Sequence, residues 1–74
     1  MISTTEVGKR LRVLRGERTL QKVSDDTGLG VSALTMYELG KRMPRDEAKI
    51  ALANYYSVSI DDLFFADSFP SDRS

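Results

Sequence analysis

Thr19-Leu20-Gln21-Lys22-Val23-Ser24-Asp25-Asp26-Thr27-Gly28-Leu29-Gly30-Val31-Ser32-Ala33-Leu34-Thr35-Met36-Tyr37-Glu38-Leu39-Gly40 is the stretch on which the fold turns. Thr19 has the side chain of a helix N-cap, and Leu20 and Val23 follow as inward residues of a short helix. Gly28 closes that helix, since glycine accepts the left-handed conformation that follows a helix end. Leu29-Gly30 is the turn. A second helix is predicted from about Val31 to Leu39, with Leu34 and Tyr37 inward and Gly40 as its stop. Small residues in so short a turn let the two helices meet at a steep angle.

On the N-terminal side, Ser3 followed by Glu6 reads as a capping box. Val7, Leu11 and Leu14 then form one apolar helical stripe, Gly16 ends the helix, and Glu17-Arg18 makes a tight link. On the C-terminal side comes a basic loop, Lys41-Arg42-Met43-Pro44, with Pro44 just ahead of a fourth helix. Ala48, Ile50, Leu52, Ala53 and Tyr56 are its apolar positions. A second capping box, Ser59 to Asp62, opens a last short helix carrying Leu63, Phe64 and Phe65. No alternating stretch is long enough for a strand, and there is no internal repeat. The prediction is an all-α domain of five helices over residues 1–65, with a flexible tail over residues 66–74.

Composition narrows the chemistry. Seventy-four residues make one small domain with a modest core. Cysteine and histidine are both absent, which excludes disulfides, thiolate metal sites and imidazole catalysis. The carboxylates of Asp25-Asp26 and Asp61-Asp62 diverge by about 100° on a helix, so neither pair converges on an ion. No cofactor, metal or enzymatic activity is expected. The stretch Met1–Glu6 lacks the basic and apolar regions of a signal peptide, and no apolar run approaches the ~20 residues that span a bilayer. Cytoplasmic residence without a membrane partner is the expectation.

Net charge is zero, yet the charges are unevenly placed. Residues 1–50 hold ten Lys and Arg against seven acids, a balance of +3, and residues 51–74 hold Arg73 against four Asp, a balance of −3. Such polarity turns one part of a molecule toward phosphate.

The order and spacing of several pieces resemble the Cro/CI-type (XRE-like) helix-turn-helix family of phage repressors. These are Val7-Gly8 with Leu11, Leu14 and Arg15; Val23-Ser24 with Gly28; Leu34 and Tyr37-Glu38 with Gly40-Lys41; Pro44; and Val58-Ser59-Ile60-Asp61-Asp62-Leu63-Phe64. The similarity covers Val7 to Phe65 and implies a compact, lambda-repressor-like fold. Three features depart from the pattern. The link after Arg15 is about two residues short, Leu20 stands where a phosphate-contacting Gln is frequent, and Gly30 replaces a hydroxyl cap of the third helix.

The resemblance implies site residues. Val31, Ser32 and Met36 occupy the base-reading positions, and Thr35 shares their outward face. Val31 and Met36 suit thymine methyls, and the Ser32 hydroxyl suits a base edge. Lys41 and Arg42 stand where the family touches the DNA backbone, with Thr19 and Lys22 as further phosphate contacts. Arg15 and Glu38, charges on inward stripes, are expected to pair and brace the first helix against the third. At helical spacing the aromatics Tyr55-Tyr56 and Phe64-Phe65 read as packing residues rather than a stacking platform, with Tyr56 and Leu63 expected in the core. One narrow helix face cannot bury Phe64, Phe65 and Phe69 together, which makes them candidates for a dimer contact or for holding the tail down.

The function so implied is a repressor of phage or prophage type, binding double-stranded DNA as a homodimer on a partly palindromic operator. The rival is a protein-interaction module (an antirepressor, co-repressor or antitoxin) that binds another repressor. Neutral net charge and the apolar outward face of the third helix favour it.

Overall fold

A computed structural model describes residues 2–67. Within them the chain forms α1 (Thr4–Arg15), α2 (Leu20–Thr27), α3 (Val31–Glu38), α4 (Asp46–Tyr56) and α5 (Ile60–Phe64), and no strand. None of these helices is long and apolar enough to cross a membrane.

Local chemistry sets most of the boundaries. Ser3, Thr19 and Ser59 each accept a hydrogen bond from the backbone N–H three residues on, at 3.1, 3.0 and 2.9 Å, which opens α1, α2 and α5. Gly30 opens α3 with no side-chain cap. At the far end of α3, Gly40 adopts φ 74°, a conformation that favours glycine. There the Lys41 N–H donates to the Met36 carbonyl at 2.9 Å and the Gly40 N–H to that of Tyr37 at 3.1 Å. These paired bonds satisfy carbonyls that a helix end would otherwise leave without partners.

Each helix contributes to one core. Val7 and Leu11 of α1, Val23 of α2, Leu34 and Tyr37 of α3, Leu52 of α4, and Leu63 and Phe64 of α5 are all buried. A fully buried side chain of this size stabilises the fold by about 1.5–3 kcal/mol. Leu14, Leu20, Leu29 and Tyr56 pack around them.

Ile50, one of the apolar positions of α4, is exposed. It lies two residues from both Ala48 and Leu52, about 200° round the helix from each, so burying those two turns Ile50 to solvent. Phe64, a candidate dimer contact from its sequence position, has an exposure of 0%. It completes this chain's own core beside Leu63 and leaves nothing for a partner to touch.

Candidate nucleic-acid interface

The turn between α2 and α3 is fixed from within. Gly28 takes φ 82°, and its N–H donates to the Ser24 carbonyl at 2.8 Å. The Thr27 hydroxyl donates to the Val23 carbonyl at 2.7 Å and accepts from the Leu29 N–H at 3.1 Å. One side chain thereby latches the end of α2 to the turn, and Leu29 is drawn down against the core.

The inner side of α3 is held by α1. A Cβ at Gly8 would lie 2.5 Å from the Glu38 carbonyl oxygen and 2.7 Å from that of Tyr37. A Cβ at Gly40 would lie 2.9 Å from the Thr5 Cα. The two backbones therefore meet with no room for a side chain at either crossing point. Beside the contact, Arg15 grips Glu38 with two bonds, Nε to Oε2 at 2.8 Å and Nη2 to Oε1 at 3.0 Å. Both side chains are largely covered, with 16% and 10% of their surface exposed. The Glu38 carboxylate, through its hydrogen bond, pushes the Arg15 pKa upward. Arg15 Nη1 also donates to the Arg18 carbonyl at 2.7 Å, so one guanidinium ties the entry to α2 and the end of α3 to the same point on α1.

The outer side of α3 has none of this. Val31 is 36% and Leu39 61% exposed, and Ser32 is open to solvent. Thr35 and Met36 are half-buried, with Met36 at the border of the outer face rather than sunk in the core. The Thr35 hydroxyl donates back to the Val31 carbonyl at 2.8 Å, which commits its proton within the helix. Immediately beyond Gly40, Lys41 and Arg42 are exposed, and their side chains form no ion pair among the described residues.

The other site residues are more engaged. The Thr19 hydroxyl serves as the α2 cap while staying exposed. Lys22 is exposed too, with its Nζ 3.3 Å from Asp26 Oδ1. Asp26 in turn accepts from the Tyr55 hydroxyl at 2.6 Å, and this bond holds the Asp26 carboxyl below its usual range and raises the Tyr55 hydroxyl. Arg18 lies over both tyrosine rings, 5.5 and 5.7 Å from their centroids, and thereby seats the α1–α2 link on α4. Tyr56 is half-buried, and its hydroxyl pKa is pushed up to about 12 by burial and then by the Glu38 and Tyr55 negative charges. Phe65 remains exposed beside Ile50 and Ile60 around a shallow groove that Asp46 and Lys49 edge. Phe69 lies outside the described residues.

Arg10 escaped the sequence reading. Only 2% exposed, it donates from Nη1 to the Asp62 carbonyl at 2.7 Å and from Nη2 to the Asp67 carbonyl at 3.3 Å, with Nε 3.2 Å from Glu6. It fastens α1 to the end of α5 and to the chain beyond. The available signal was its place on the Val7–Leu14 side of α1, four residues after Glu6.

A pair of short helices joined by a tight turn, with the second braced from behind and bare in front, is the arrangement that DNA-reading domains present to a major groove. A family model described as helix-turn-helix, HTH_3, matches residues 9–63. No curated protein and no solved structure matches the chain. With the match spanning most of its length, the protein belongs to the Cro/CI-like (XRE-type) helix-turn-helix family of DNA-binding regulatory domains.

Proposed function

We propose that this domain is a sequence-specific transcriptional regulator of repressor type that places α3 in the major groove of double-stranded DNA. The observation that carries this reading is the contrast across α3, whose inner side is fixed by Gly8 and by Arg15–Glu38 while Val31, Ser32, Thr35 and Met36 look outward. Val31, Ser32, Thr35 and Met36 contact bases. Lys41 and Arg42, with Thr19 and Lys22, contact phosphates. The Ile50, Ile60 and Phe65 surface supports pairing of two copies on a partly palindromic operator, with half-sites about one helical turn apart.

Binding to the DNA flanking its own gene across a salt series tests the reading. Ser32→Ala with Met36→Ala is expected to remove sequence preference. Lys41→Ala with Arg42→Ala is expected to weaken every duplex and lower the log–log salt slope by about 0.9 for each phosphate that is no longer neutralised. Failure to bind any duplex at low salt, together with tight binding to another repressor, would overturn it in favour of a protein-interaction module, a role that the apolar exposure of Val31 and Leu39 also suits.

A further inference from the structure

Resting on the reading of α3 as a groove-binding helix, a further inference concerns what that helix can recognise. Side chains discriminate bases in the major groove by a few pairings: Arg or Lys with guanine, Asn or Gln with adenine, Asp or Glu with cytosine, and apolar groups with the thymine methyl. The α3 segment Val31–Glu38 contains no Arg, Lys, Asn or Gln. Its one acid, Glu38, faces the other way in its two-bond grip on Arg15. The chain's only carboxamides lie elsewhere, Gln21 on α2, bonded to Asp25 at 2.9 Å, and Asn54 on α4.

What α3 presents instead is hydrocarbon. Val31 and Thr35 are four residues apart, as are Ser32 and Met36, so the four side chains form one patch. With its hydroxyl turned to the Val31 carbonyl, Thr35 offers its methyl group alongside the Val31 isopropyl and the Met36 thioether. Ser32 adds a single hydroxyl, which can donate to or accept from any base and so ranks them weakly.

We propose that the α3 surface recognises the C5-methyl group of pyrimidines, so that thymine, and equally 5-methylcytosine, is favoured at the steps it covers. The two bases carry the same methyl in the same place on the major-groove edge and differ in their polar edge, which α3 has no charged or amide group to read. Cytosine methylation within the site therefore strengthens binding, and loss of the thymine methyl weakens it.

The test begins with selection from random duplexes of about 25 base pairs, long enough for two half-sites one helical turn apart. The best-bound sequence is then remade with deoxyuridine for thymine, and in another arm with C·G or 5-methylcytosine·G replacing a contacted T·A. Deoxyuridine is expected to cost about fourfold in affinity per contacted methyl, the equivalent of one buried CH₂-sized group. At the replaced step, 5-methylcytosine is expected to recover most of what cytosine loses. Val31→Ala and Met36→Ala should each shrink the thymine–uracil difference. Val31 is exposed, so its variant tests the patch without disturbing the core.

If no duplex is retained at low salt, the DNA-binding role of this surface fails, and the methyl readout with it. Sequence preference that is identical for thymine and deoxyuridine duplexes overturns the methyl readout alone. A thymine–uracil difference that survives unchanged in both variants also overturns it, because the methyl would then act through DNA shape rather than through α3.

Discussion

The two sides of α3 use opposite chemistry within eight residues. The inner side, with Leu34, Tyr37 and Glu38, is turned to the fold: apolar side chains in the core, the carboxylate in a two-bond ion pair, and backbone carbonyls against Gly8. On the outer side, Val31, Ser32, Thr35, Met36 and the adjoining Leu39 carry no titratable group and, among the described residues, reach no partner on another helix through a hydrogen bond or ion pair. A domain this small has little stability to spare. Concentrating rigidity behind the helix holds the outer face in position without drawing its side chains into the fold.

Substitutions on the two sides should therefore separate stability from recognition. The largest effect is expected at Gly8→Ala, where the new methyl meets two backbone carbonyls that cannot rotate away. Urea unfolding should show a loss of about 3 kcal/mol, with the base preference of the remaining folded protein unchanged. A near-neutral result would mean that α1 and α3 can slide apart and that the contact at Gly8 does not brace α3.

Glu38→Gln comes next. It leaves the Arg15 guanidinium largely covered without its counter-charge and should cost about 2 kcal/mol, less than a fully buried pair because both groups retain some contact with water. A double-mutant cycle with Arg15→Met measures the coupling directly. Coupling near zero would demote the ion pair to a bystander.

A smaller effect follows from Tyr56, the hydroxyl that feels Glu38 from the inner side. Its pKa, raised from the usual 10 to about 12, means that the fold favours the neutral ring. That contribution is complete below pH 10 and is lost as pH climbs toward about 12. Tyr56→Phe should flatten this alkaline decline in thermal stability, whereas substitutions on the outer side should leave it untouched. Smallest of all is Leu39→Ser at an exposed position, expected to shift stability by no more than about 0.5 kcal/mol. A larger drop by thermal melting would show that the outer side also serves the fold.

The amino-acid order by itself determined the elements and their family. Caps at Ser3, Thr19 and Ser59 and the glycine stops at Gly28 and Gly40 are local devices, legible because the bonds they make span only a few residues. Helical periodicity likewise singled out the inward residues of α3 and the outward positions read as the site. Packing decided what periodicity leaves open. Phe64 and Phe65 are equally apolar neighbours, and only the filling of the core made one its centre and left the other exposed. Nothing local marked Gly8 as the point where two backbones touch. Arg10 found its carbonyl partners at Asp62 and Asp67, more than fifty residues away along the chain, a distance over which pattern carries no information and three-dimensional packing carries all of it.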